Sequence, residues 1–186
     1  MIIQLTGLSG AGKTTLATGA KSFLEKHALT AEVIDGDVYR KTICKDLGFT
    51  REDRMENIRR LGKVAWSFKD RVDIILIAAI NPFEEIRNEL KEKYSAKTVW
   101  IKCDIDVLIE RDPKNLYKRA LLHDDHPDKI FNLTGVNDRY EIPAAPDLVI
   151  ETSRESPAQS IQTLYEFILY SRAFPNKKDP DGNVEV

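Results

Sequence analysis

Gly7-Leu8-Ser9-Gly10-Ala11-Gly12-Lys13-Thr14 follows directly on the apolar stretch Ile2-Ile3-Gln4-Leu5 and satisfies G-x-x-x-x-G-K-[ST] in full. A chain with this motif is constrained at once: a short strand must enter the loop and a helix must leave it. Thr14-Thr15-Leu16-Ala17 opens such a helix. Glycines let successive backbone N–H groups turn inward around a polyphosphate, and the helix N-terminus adds partial positive charge. Lys13 is placed to reach β- and γ-phosphates and the Thr14 hydroxyl to ligate Mg²⁺. The reading is a nucleoside triphosphate site.

The chain has 186 residues and a formal net charge of -2. That length suits one domain, expected over 1–174, with a flexible tail over 175–186 rich in proline, lysine and glycine. The charge balance offers no global attraction to nucleic acid or an anionic membrane, so neither is expected as a partner. The longest apolar run, Ile74-Ile75-Leu76-Ile77-Ala78-Ala79-Ile80, is too short to span a bilayer. With a strand and loop already at the N-terminus, no leader is expected. Cys44 and Cys103 stand alone without C-x-x-C spacing, which points to a reducing cytoplasm and to small buried apolar roles. Trp66 and Trp100 read as core.

Short, mostly continuous apolar runs at 2–6, 31–35, 72–80, 97–102 and 147–150 read as strands covered on both faces, as in a parallel sheet. Helical patterns alternate with them at 13–27, 37–46, 52–70, 83–94, 105–122 and 156–171. Alternation of this kind predicts a three-layer α/β domain with right-handed crossovers. Ligands in such sheets bind at the carboxyl ends of the strands. Charged and polar motifs fall there: Asp35-Gly36-Asp37 after the second strand, Asn81-Pro82 after the third.

Asp35 and Asp37 can hold Mg²⁺-bound water or orient a hydroxyl nucleophile, while one of them caps a helix. Arg40, one turn on, suits bidentate phosphate binding. Arg51, Arg54, Arg59 and Arg60 alternate with Glu52, Asp53 and Glu56 in the manner of a solvated helix face. Arg54 and Asn57 nevertheless share one side and, with Arg40, can make an anion clamp. Phe49, following Gly48 between helical segments, suits stacking on a ligand. His123-Asp124-Asp125-His126 lacks a distal ligand and reads as a solvated loop. Asn176-Lys177-Lys178-Asp179 matches a guanine-reading motif but lies in the tail and reads as coincidence, as does Asp179-Pro180-Asp181-Gly182.

Taken in series, the phosphate loop, Asp35-Gly36-Asp37 with Arg40, Leu47-Gly48-Phe49, Asp53-Arg54 with Glu56-Asn57-Ile58-Arg59-Arg60, Arg111-Asp112-Pro113-Lys114 with Leu116-Tyr117, and Thr134-Gly135 with Tyr140-Glu141 resemble the adenylylsulfate (APS) kinase family over about residues 1–152. The resemblance implies a P-loop NTPase fold with a parallel sheet and a mobile lid over about 112–140. It also implies transfer of the ATP γ-phosphate to the ribose 3′-hydroxyl of adenylylsulfate, a step of sulfate activation, with Mg²⁺ as cofactor. On this basis Lys13, Asp37 and Lys114 are the catalytic candidates. ATP falls to Gly7, Ser9, Gly10, Ala11, Gly12, Lys13, Thr14, Thr15 and Arg111, the last near adenine. The nucleotide acceptor falls to Asp35, Arg40, Phe49, Arg54, Asn57, Ile80, Asn81, Lys114, Leu116 and Leu133. Thr14 would hold Mg²⁺ directly and Asp37 through water. A homodimer is left open.

The chain departs from the family pattern at four places. Ile80-Asn81-Pro82-Phe83 has asparagine where the family has a serine, so no phosphoryl group can be carried there and direct in-line transfer is the mechanism expected. Leu133-Thr134-Gly135 has leucine where the family has a stacking phenylalanine; a base–aromatic contact is worth roughly 1–3 kcal/mol. The segment 122–129 lengthens the lid, and Asn115 follows Lys114 in place of glycine. All lie on the acceptor side. A cytidine diphosphate derivative in polysaccharide modification is therefore the alternative acceptor. A non-catalytic nucleotide switch is the competing class, in which the lid lysine and the anion clamp have no role.

Overall fold

The structure is a computed structural model that describes residues 1–174; the tail and its Asn176–Asp179 and Asp179–Gly182 motifs lie outside the described residues. Five strands, β1 (Ile2–Thr6), β2 (Ala31–Asp35), β3 (Ile74–Ala78), β4 (Lys97–Lys102) and β5 (Leu148–Glu151), form one sheet. The order is β2-β3-β1-β4-β5 and every pairing is parallel. The helices are α1 (Lys13–Lys26), α2 (Gly36–Tyr39), α3 (Arg51–Ser67), α4 (Glu84–Tyr94), α5 (Ile105–Arg111), α6 (Leu116–Ala120) and α7 (Pro157–Ala173).

The continuous apolar strands serve two cores. Ile74, Leu76 and Ala78 of β3 face one cluster with Ile3 and Leu5 of β1, Leu16 and Leu24 of α1, and Leu164 and Ile168 of α7. Ile75 and Ile77 face the other, with Met55, Ile58 and Leu61 of α3 and Ile86 and Leu90 of α4. Alternate residues of one strand thus leave water on opposite faces, and neither face tolerates a polar alternation. Gln4 and Thr6 of β1 and Thr98 of β4 are buried polar exceptions. Gln4 is fully buried, and its amide donates to the Arg87 carbonyl at 2.9 Å and the Thr98 hydroxyl at 3.0 Å.

Two expected helices are shorter than the pattern suggests. The 37–46 stretch is helical only to Tyr39; turns follow, and Arg40 leaves the helix to bond the Leu47 and Gly48 carbonyls. The 105–122 stretch breaks at 112–115, because Pro113 cannot continue α5 and Asn115 takes a left-handed φ of 53°. The Asp112 carboxylate accepts from the Leu116 and Lys118 amides and so starts α6. Trp66 is corrected from core to surface: it is 42 % exposed, tilted against Tyr94, with Lys69 4.1 Å above its ring. Cys44 is buried and Cys103 half-buried. The 123–126 loop is mostly exposed. No described helix is long and apolar enough to cross a membrane.

Candidate active site

The phosphate loop leaves the central strand β1 and is fastened on several sides. The Gly7 amide donates to the Ile80 carbonyl at 3.2 Å, tying the loop to the end of β3. Gly7 packs so closely on β4 that a Cβ there would lie 2.4 Å from the Ile101 carbonyl oxygen. The Tyr117 hydroxyl donates to the Ser9 carbonyl at 2.8 Å, and the Thr152 hydroxyl to the Ala11 carbonyl at 3.0 Å. Lys13 Nζ donates to the Gly7 and Leu8 carbonyls at 2.8 and 2.7 Å. Burial lowers its pKa to about 8, against the opposing pull of Asp37 and Asp35.

The two carboxylates of Asp35-Gly36-Asp37 take different places. Asp35 Oδ2 accepts from the Thr14 hydroxyl at 2.6 Å, while Oδ1 accepts from the Asp37 amide at 2.8 Å and caps α2. Both Asp35 oxygens are thus engaged beside α1, and Asp35 is not among the residues that line the cavity described below. Asp37 points outward and pairs with Lys114 from the α5–α6 turn. The two catalytic candidates from distant segments therefore meet.

Arg40 Nη1 donates to Gly48 at 2.6 Å and its guanidinium lies 4.8 Å from the Phe49 ring centre. Arg54, on the first turn of α3, is buried. It donates to the Phe49 carbonyl at 3.0 Å and the Asn132 carbonyl at 2.7 Å, and it pairs with Asp138 at 2.7 Å. Phe49 itself is 52 % exposed, an apolar ring held open between two guanidiniums. Asn57 is buried with its side-chain oxygen unpartnered.

Asn81, at a left-handed φ of 48°, is only 2 % exposed. Its amide donates to Gln4 Oε1 at 2.8 Å, and its carbonyl accepts from the fully buried Arg87. Arg87 also bonds Glu84 and the Glu141 carbonyl, which joins α4 to the segment between α6 and β5. Within that region Gly135, at φ 88°, rests against Leu8 of the phosphate loop.

These pieces enclose a cavity of about 870 Å³. Ser9, Gly10 and Gly12 to Thr15 line one side; Arg40, Phe49, Arg54, Asn57, Ile80 and Asn81 line another; Asp37, Lys114, Leu116 and Leu133 complete it. Every residue expected on the acceptor side except Asp35 is brought to this one space. Lys41 and Arg119 also line it and were not singled out, since each reads as an ordinary helix-surface cation. A second cavity of about 290 Å³ shares Gly10, Gly12 and Thr15 with the first. Ala11 and Arg111 are found there, together with Thr152, Glu155, Pro157 and Ser160, which carry no motif.

Comparison with known proteins agrees with this geometry. The family model for adenylylsulphate kinase matches residues 1–151. An adenylyl-sulfate kinase of Bacillus pumilus is 43% identical over 170 residues, 90% of this chain and 84% of the relative. One from Geotalea uraniireducens is 36% identical over 185 residues, 98% of this chain and 86% of the relative. The solved Mycobacterium tuberculosis APS kinase CysC in complex with AMPPNP and APS superposes with a TM-score of 0.82 at 31% identity, covering 90% of this chain and 96% of that one. With the loop, the paired Asp37 and Lys114 and the arginine-flanked Phe49 around one cavity, these matches place the chain in the adenylylsulfate kinase family.

Proposed function

We propose that this protein transfers the γ-phosphoryl group of ATP to the ribose 3′-hydroxyl of adenylylsulfate, giving phosphoadenylylsulfate and ADP. One observation carries the reading: the phosphate loop and the Arg40–Phe49–Arg54–Asn57 wall face a single cavity, which Asp37 and Lys114 also line. A triphosphate and an anionic nucleotide can therefore meet without crossing protein. The relatives named adenylyl-sulfate kinase and the neighbour holding AMPPNP and APS support the same pair of substrates.

In this reading the loop amides and Lys13 hold the β- and γ-phosphates. Asp37 accepts the proton of the attacking 3′-hydroxyl while the new O–P bond forms and the bond to the β,γ-bridging oxygen breaks. Lys114 brings positive charge to the transferred group. Arg40, Arg54 and Asn57 take the acceptor's phosphosulfate, Phe49 stacks on its base, and Leu133 covers it from the lid side. Arg111 lies over the donor base. The Thr14 hydroxyl and the Asp35 carboxylate are hard oxygen donors already in contact, a set that suits Mg²⁺. Asp37 would meet the ion through water. When bound, the ion would neutralise charge on the β- and γ-oxygens.

The test is ADP release with Mg·ATP and adenylylsulfate, followed by periodate treatment of the product, since a 3′-phosphate removes the oxidisable diol. Turnover of a cytidine diphosphate ester in place of adenylylsulfate would keep the phosphotransferase and replace the acceptor, an outcome that buried Leu133 in the cavity wall would explain. ADP release with neither acceptor would overturn the reading.

A further inference from the structure

Asn81 is irregular in backbone and side chain alike. It holds a left-handed φ of 48°, and its buried Oδ1 has no hydrogen-bond partner. A backbone of that kind persists only where its surroundings impose it, and such residues gather at functional sites. What imposes it here is a closed ring of Asn81, Gln4 and Arg87. The Arg87 guanidinium donates to the Asn81 main-chain carbonyl at 2.8 Å, and the Asn81 side-chain amide donates to Gln4 Oε1 at 2.8 Å. The Gln4 amide closes the ring by donating to the Arg87 main-chain carbonyl at 2.9 Å. The sense of the ring is fixed. A main-chain carbonyl only accepts, so Gln4 turns its nitrogen to Arg87 and its oxygen to Asn81, and the Asn81 nitrogen faces inward. Arg87 is itself held by the Glu84 carboxylate at 2.6 Å and the Glu141 carbonyl at 2.7 Å. All the members of the ring are buried, Gln4 completely.

The ring braces a turn that serves both sides of the larger cavity. Ile80 and Asn81 line that cavity, whereas Gln4 and Arg87 are not among its lining residues. The Ile80 carbonyl accepts from the Gly7 amide at 3.2 Å, and the Thr6 hydroxyl lies 2.8 Å from the same oxygen. One turn therefore steadies the first glycine of the phosphate loop and walls the acceptor side. Phosphoryl transfer depends on how the two substrates are placed against each other, and a misplacement of about 1 Å can cost about 10²-fold in rate. We propose that Gln4 and Arg87 are positioning residues, which act through Asn81 to hold the acceptor-side wall at a fixed distance from the phosphate loop. The inference rests on the kinase reading for the reaction and adds to it residues that line neither cavity. The rest of the loop is fastened independently by Tyr117 and Thr152, so ATP binding does not depend on the ring.

The experiment compares the wild type with Gln4→Met, Asn81→Gly, their double variant and Arg87→Lys. Gln4→Met cuts the ring at matched length and leaves no buried charge. Asn81→Gly accepts the same φ freely but removes the side chain. Arg87→Lys keeps the charge beside Glu84 with too few donors for every oxygen that Arg87 holds. The measurements are kcat and KM for adenylylsulfate and equilibrium binding of Mg·ATP, at a temperature where every variant is folded. Each single variant is expected to lose about tenfold or more in kcat/KM for adenylylsulfate while its Kd for Mg·ATP stays within about twofold. The double variant is no slower than Gln4→Met or Asn81→Gly alone, because both cut one ring. Unchanged kcat/KM for adenylylsulfate in a folded single variant, losses that multiply in the double, or an equal loss of ATP affinity would overturn the proposal. A wild type that turns over neither adenylylsulfate nor a cytidine diphosphate ester overturns the kinase reading and this inference with it. Normal wild-type turnover with unaffected variants overturns this inference alone.

Discussion

Lys13 is a charge held where charge is expensive. Burial keeps its folded-state pKa at about 8, against an unperturbed 10.5. Between those values the unfolded chain binds more protons than the folded one, so this group's contribution to stability improves as pH rises through that window and is least favourable below it. The phosphate contact proposed for it runs the other way, because that contact needs the ammonium. In the free protein kcat/KM for ATP is expected to fall as pH passes about 8. The corresponding limb of kcat lies higher, since bound polyphosphate favours the charged form. A kcat/KM profile flat through this region would assign the phosphate contact to the loop amides alone. Asp37→Asn tests the neighbouring pair. An amide cannot take the hydroxyl proton, so kcat drops by about 10²-fold or more while KM for ATP changes little. A variant altered only in KM for ATP would make Asp37 a nucleotide-binding group.

At the scale of elements, what could be read directly was whatever depends on near neighbours in sequence. The loop from Gly7 to Thr14 and the strands β1, β2 and β4 are set by local glycines and short apolar runs, and they stand where the pattern puts them. The over-long helices fail for local reasons too: Pro113 ends α5 early, and the chain after Tyr39 runs in turns toward the Leu47 and Gly48 carbonyls that Arg40 bonds. Glu155, Ser160 and Thr152 were illegible because no motif surrounds them. They reach the phosphate loop only because β5 pairs with β4 and β4 with β1. The Asp35 placement was half legible, as a cap but not as the partner of Thr14. Gly7→Ala tests the closest of these element contacts. Its Cβ would meet the Ile101 carbonyl, a backbone atom that cannot swing aside. A loss of roughly 1–3 kcal/mol is expected, read as a lower midpoint in chemical denaturation with the slope unchanged. An unshifted midpoint would mean that β1 and β4 separate more easily than their pairing suggests.

For the whole molecule, the proposed reading brings two ligands to one cavity, and their stabilisation can be measured separately. A ligand present at 100 times its Kd adds about 2.7 kcal/mol to folding stability, a rise of roughly 5–10 °C in Tm for a chain of this size. Mg·ATP and adenylylsulfate should each raise Tm. Arg40→Ala and Arg54→Ala should diminish the adenylylsulfate increment and leave the ATP increment nearly intact. Loss of the ATP increment instead would place those arginines on the donor side.

The strand order makes that separation a property of the sheet. β1 is central, with β3 and β2 on one flank and β4 and β5 on the other. Arg40, Phe49 and Arg54 follow β2, whereas Thr152 follows β5. The Gly7 amide bonds the Ile80 carbonyl on one flank and the Thr152 hydroxyl bonds the Ala11 carbonyl on the other, so each flank holds the loop by its own hydrogen bond. On the proposed reading, a laboratory redesign could therefore address one flank at a time: libraries confined to 40–57 would explore new acceptors, with the donor requirement expected to stay intact.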